Sequence, residues 1–247
     1  MDMIDDVFAL GFDILTKIRD TQKDALDQAA KKIADCFLNG KTFYVTGSGH
    51  SHTVVEEFYA RAGGLAFVVP ILTSELTLTE HPTKSSLLER LNGYAGILAE
   101  LYGVGEGDVV MIASNSGRNA YPVEMALEAK KRGADVIAIT NLAHSRSVSS
   151  RHDSGKKLMD IADIVIDNCG VSGDCAMKME GLDTMVCPTS SMANTFIAQA
   201  ISVQCCRYIM DQGVTPPVFV SLNSEGTEHT NDEYFEKYTR LYQKATR

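Results

Sequence analysis

Residues 108–141 read DVVMIASNSGRNAYPVEMALEAKKRGADVIAITN, and this stretch decides the fold class. Val109, Val110, Met111, Ile112 and Ala113 form an unbroken apolar run, the composition of a parallel strand covered on both faces. The run stops at Ser114-Asn115-Ser116-Gly117, short polar residues and a glycine that suit a tight turn. Asn119 then fits an N-cap, Pro122 is tolerated in a first helical turn, and Val123, Ala126 and Leu127 share one helix face. Gly133 suits the residue after the helix, and Val136 to Thr140 is the next apolar run. Strand, turn, helix and strand make a βαβ unit. Its turn holds free backbone N–H groups at the positive end of a helix, and the hydroxyls of Ser114 and Ser116 add donors, so an anion can be held there without a lysine. A turn that merely reverses the chain would use the same residues, so this stretch alone leaves both readings open.

The same grammar recurs outward along the chain. Thr42 to Thr46 is a first strand, followed by the turn Gly47-Ser48-Gly49-His50-Ser51 and a helix to about Ala62. Ala66 to Leu72 is a second strand. A loop with Glu75, Glu80 and His81 follows. Ser86 and Glu89 then have the spacing of a capping box, ahead of a helix with Leu87, Leu88, Leu91, Leu98 and Leu101 on its core face. Ile161 to Ile166 is a fifth strand, and Asn168-Cys169-Gly170 with Gly173-Asp174 a third turn. Pro188-Thr189-Ser190-Ser191 opens a long helix that ends at Gly213. Two helices precede the first strand, with Ile4, Phe8, Ile14 and Ile18 and then Ala29, Ile33 and Phe37 at helical spacing. After Pro216 come a polar loop, Asn223 to His229 with Glu228 in it, and a helix from about Asp232. All strand C-termini of an open parallel sheet lie on one edge, so Ser48, Ser51, Ser114, Ser116 and Ser190 or Ser191 can meet there although far apart in sequence. A hydroxyl-rich, lysine-poor pocket of that kind suits a phosphorylated sugar.

Composition narrows the function classes. The 247 residues are 45% hydrophobic and 22% charged, as in ordinary globular proteins. The net charge is -9 with the Lys and Arg scattered, which leaves no basic surface for nucleic acid or anionic membrane. None of the six cysteines forms a C-x-x-C pair, and a reduced, cytoplasmic protein is expected. The acidic start of the chain, MDMIDDVFALGF, is unlike a signal peptide, and no apolar run reaches the length of a membrane span. Gly47-Ser48-Gly49 invites a dinucleotide reading, but His52 stands at the third glycine position and no acid follows the second strand. His50 and His52 lack a third ligand. No cofactor and no metal are therefore expected.

Ser114-Asn115-Ser116-Gly117, then Ala126, Ala129-Lys130, Gly133-Ala134 and Ile137-Ala138-Ile139-Thr140 resemble the central motif of SIS (sugar isomerase) domains, with Asn119 at the family's usual Thr. The likeness runs from about residue 35 to 220 and extends to phosphoheptose isomerases and to stand-alone UPF0309-like proteins. It implies an α/β fold: a three-layer αβα sandwich around a five-stranded parallel, flavodoxin-like doubly wound sheet. Residues 35–220 would form the SIS domain. Residues 1–34 would be helices packed on it or on a dimer partner, and 221–247 a C-terminal loop and helix. The resemblance further implies phosphosugar binding by Gly47, Ser48, Gly49, Ser51, Ser114, Asn115, Ser116, Asn119, Ser190 and Ser191, and a homodimer or higher homo-oligomer with a shared site. It implies aldose–ketose isomerisation through an enediol, with an etherase-type lyase or a non-catalytic sensor as alternatives. The proton-transfer candidates are Glu57, Glu80 and His50. Phosphoheptose isomerases take their base from late in the first helix, and Glu56 and Glu57 come about one turn earlier. They also carry a His in the long helix, where this chain has Phe196 and Ile201, so a heptose substrate is not implied.

Overall fold

A computed structural model describes residues 3–81, 83–227 and 229–244, with side chains up to Tyr238; Pro82 and Glu228, which the sequence assigns to loops, lie outside the described residues. The apolar runs pair as parallel strands: β1 (Phe43–Gly47), β2 (Val68–Ile71), β3 (Val109–Ala113), β4 (Asp135–Thr140) and β5 (Ile164–Asp167). Their order in the sheet is β2-β1-β3-β4-β5, the doubly wound order expected. The chain leaves β1 toward one edge and returns past it to β3, so the direction of winding reverses between these two strands. Gly47, the last residue of β1, lies beside Ala113, the last of β3, and the turns that follow them start side by side. Crevices for ligands open at such switch points.

Side chains alternate across the sheet, and each face has its own core. Phe43, Val45, Val109 and Met111 face the helices α1 (Met3–Thr21), α2 (Lys23–Leu38), α3 (Thr53–Phe58) and α8 (Ser190–Asp211). Tyr44, Val110 and Ile112 face α5 (Tyr94–Leu101) and α6 (Ala120–Lys131). Phe43 and Phe58 meet edge to face with ring centroids 5.7 Å apart. Each such fully buried side chain contributes about 1.5–3 kcal/mol relative to exposure. Tyr121, fully buried in the second core, finds Thr46 Oγ1 for its hydroxyl at 2.6 Å. Among the described residues no helix is long and apolar enough to cross a membrane.

The structure departs from the sequence expectations in three places. The helix after β1 is shorter than expected. A 3-10 turn spans Gly49–His52, and α3 stops at Phe58. Gly63 and Gly64 follow, and their backbones pair with Phe219 of the C-terminal segment, which a continued helix would block. The region after β2 forms two short helices, α4 (Lys84–Leu88) and α5, separated by Gly93 at φ +88°. Leu87, Leu91 and Leu101 are exposed there, and Ser86 with Glu89 caps nothing. A hairpin of β6 (Cys175–Met177) and β7 (Val186–Pro188), invisible in the apolar pattern, precedes α8. The remaining helices are α7 (Leu142–Ser147) after β4 and α9 (Asp232–Lys244).

Candidate functional site

The first turn needs glycine where β1 ends. A Cβ on Gly47 would stand 2.5 Å from the Ser51 carbonyl oxygen, closer than any side chain tolerates. Gly49 has φ +58°. The fold they permit brings the Ser51 amide to 3.2 Å from the Ser48 oxygen. The second turn is built alike. Gly117, at φ +58°, donates its N–H to Ser114 Oγ at 3.2 Å. Asn119 occupies the N-cap position of α6 as expected, but its side chain does not cap the helix. It donates to Glu89 Oε1 at 2.7 Å and accepts from Arg151 Nη1 at 3.1 Å.

Glu89 joins the two turns. Its other carboxylate oxygen accepts the Ser48 hydroxyl at 2.8 Å, and its backbone oxygen accepts the Tyr121 N–H at 2.9 Å in the first turn of α6. Burial raises the Glu89 carboxyl above the usual carboxylate range, against the Ser48 hydrogen bond and the nearby charges of Arg90 and Arg151, which favour the ion. By sequence spacing with Ser86, Glu89 fits a helix cap. Nothing in the local pattern separates a capping glutamate from one that bridges two turns.

A chain of amides links the second turn to α8. Asn115 Oδ1 accepts from Asn168 Nδ2 at 2.9 Å, and the same nitrogen reaches Asn194 Oδ1 in α8 at 3.2 Å. Asn141, at the end of β4, donates to Asn168 Oδ1 at 3.2 Å. Buried amides paired in this way hold their strand ends in fixed register. A Cβ on Gly170 would come within 2.6 Å of Thr189 Oγ1, so the third turn also packs tightly against the start of α8. That helix start carries a carboxylate of its own. Asp174 accepts the backbone N–H groups of Thr189 at 3.0 Å and Ser190 at 2.8 Å, and the Ser190 hydroxyl at 2.8 Å.

The predicted binding residues thus divide by what they touch. Ser48, Ser114, Asn115, Asn119 and Ser190 have protein partners within the site. The hydroxyls of Ser51, Ser116 and Ser191 are half-buried and have no protein partner among the described residues. Two of the three proton-transfer candidates, Glu57 and Glu80, have partners outside this network. Glu57 is ion-paired with Arg61 and accepts Gln199 Nε2 at 2.9 Å, between α3 and α8. Glu80 is exposed and ion-paired with Lys84, whose hydrogen bond holds it below the usual carboxylate range. His50 is exposed in the first turn itself. Phe196 is more than half exposed beside α1 and α2, and Ile201 is fully buried in the core. Among the described residues no three or more His, Cys, Asp or Glu side chains cluster as metal ligands.

Comparison with known proteins agrees with this architecture. The family model described as "SIS domain" matches residues 9–141. A UPF0309 protein of Halalkalibacterium halodurans is 45% identical over 227 residues, which is 92% of this chain and 94% of that one. A UPF0309 protein of Thermoanaerobacter pseudethanolicus is 42% identical over 244 residues, 97% of each chain. Among solved structures, phosphoheptose isomerase GmhA from Neisseria gonorrhoeae superposes with a TM-score of 0.52 over 84% of this chain and 97% of its own, at 18% identity. At that identity the likeness concerns the fold.

Proposed function

Since the chain is an SIS domain protein of the UPF0309 family, we propose that it binds a phosphorylated sugar where β1 and β3 end and isomerises it through an enediol. The observation that carries this reading is the set of unpartnered rim hydroxyls, Ser51, Ser116 and Ser191, on turns joined to one another through Glu89 and the asparagine amides. Hydroxyls and main-chain N–H groups at a helix start satisfy phosphate oxygens, and the same hydroxyls also accept from sugar hydroxyls. The similarity in fold to an enzyme named for a phosphosugar substrate points the same way.

The reaction needs a base that takes a proton from the carbon next to the carbonyl and returns it to the neighbouring carbon. A second group moves a proton between the two oxygens. Glu89 is the proposed base. It bridges both turns, makes no ion pair among the described residues, and has a raised pKa that brings it nearer to neutral operation. His50, one residue from Ser51, is the proposed partner at the oxygens. Glu57 is ion-paired with Arg61, and Glu80 with Lys84, whose hydrogen bond lowers the Glu80 pKa and makes it a poorer base.

Thermal shift against a set of hexose and amino-sugar phosphates tests binding, and stabilisation by at least one is expected. For that ligand, proton exchange at the carbon next to the carbonyl in deuterated water tests chemistry. Exchange lost in Glu89→Gln and retained in Glu57→Gln and Glu80→Gln supports the assignment. Binding without exchange in the wild-type protein would make it a phosphosugar sensor instead.

A further inference from the structure

Three arginines stand by the second turn without an ion pair among the described residues. Arg118 belongs to that turn, and its backbone oxygen accepts the Arg151 N–H at 2.8 Å. Arg151 also reaches Asn119 with its guanidinium, and Arg90 follows Glu89 directly. The arginine ion pairs among the described residues are those of Arg19, Arg61, Arg132 and Arg207, so none of these three takes part in one. Arg118 Nε is shielded from solvent and has no acceptor. Burial and then the charges of Arg151 and Arg90 depress the Arg118 guanidinium below its ordinary range. Glu89 sits among them, yet its oxygens are taken by Ser48 and Asn119.

This arrangement is unexpected in a chain with 32 acidic and 23 basic residues, where a carboxylate is the commoner neighbour for any guanidinium. Gathering like charges and shielding one donor both cost free energy, which an anion would recover through charge-assisted, forked hydrogen bonds. A phosphate alone does not account for them, because the serine turns already supply unpartnered hydroxyls for it.

We infer that the ligand is a sugar phosphate with a second acid group, and that Arg118, Arg151 and Arg90 receive that group beside the phosphate turns. The inference rests on the phosphosugar reading and narrows it to acidic sugar phosphates. The acid is a carboxylate or a second phosphate, whose oxyanions offer a guanidinium the same acceptors.

Two matched ligand pairs separate these sources in direct binding measurements. Glucitol 6-phosphate against 6-phosphogluconate adds a carboxylate, and fructose 6-phosphate against fructose 1,6-bisphosphate adds a phosphate. The doubly anionic member of at least one pair is expected to bind about tenfold or more tightly, the scale of a hydrogen bond to a charged group. That ratio should shrink as salt is raised and fall toward one in Arg118→Gln. Arg90→Gln, at an exposed position, gives the same readout should Arg118→Gln fold poorly. Equal affinities within both pairs overturn the inference and leave the phosphosugar reading standing. No binding by any of the four ligands removes that reading, and this inference with it.

Discussion

At Glu89 a stability cost and a chemical use coincide. Burial is the main reason its pKa is raised, so the folded protein holds the proton more tightly than the unfolded chain does. With the folded pKa above the unfolded one, the protonated carboxyl favours folding; this contribution is present below the ordinary carboxylate pKa and is withdrawn as pH rises through the raised value. At neutral pH, Glu89→Gln is therefore expected to melt no lower than the wild type. The amide can still accept from Asn119 and can donate to Ser48. A lower melting temperature by calorimetry would show that the ionised group supports the fold. The same shift predicts that proton exchange in the wild type increases with pH through a value above the usual glutamate range. A pH profile of the exchange rate measures that value. The serines of both turns were legible as site candidates because each turn follows an apolar strand and resembles the family's motif, although a plain turn would use the same residues. Glu89 was not, since its partners Ser48 and Asn119 are 41 and 30 residues away in sequence.

Among the elements, the junction of β1 with its turn is the least tolerant of change. Gly47→Ala would drive a methyl group into the Ser51 backbone, which cannot yield as a side-chain tip would. Overpacking of this kind costs about 1–3 kcal/mol, so a clear fall in melting temperature is expected, with loss of phosphosugar binding even well below the transition. Gly63→Ala supplies a control of similar chemistry away from the rim: its added Cβ meets nothing, although φ +80° adds strain. The buried strands were readable from sequence because each is apolar on both faces. The segment containing α4 and α5 was not, because Leu87, Leu91 and Leu101 imitate a core stripe while standing in solvent. The hairpin of β6 and β7 has another reason: each strand is only three residues long and partly exposed, too short for its apolar residues to stand out as a strand.

For the molecule as a whole, the outer face of α1 exposes Ile4, Phe8 and Phe12, and α8 exposes Phe196, Val203 and Met210. Apolar side chains that cluster in contact with water commonly mark a surface that meets another protein. We expect a homodimer through α1. Phe8→Glu combined with Phe12→Glu should lower the sedimentation mass to that of one chain while leaving the far-ultraviolet circular dichroism unaltered. A dimer that survives the double substitution would place the contact elsewhere. The carboxylate of Asp174, held by the first residues of α8, has a consequence for anything that enters from solvent. The start of α8 thus already carries an anion, whereas Arg118, Arg151 and Arg90 by the second turn take part in none of the ion pairs among the described residues. An anionic guest is therefore drawn to the second turn rather than to the start of α8, before any sugar hydroxyl is recognised.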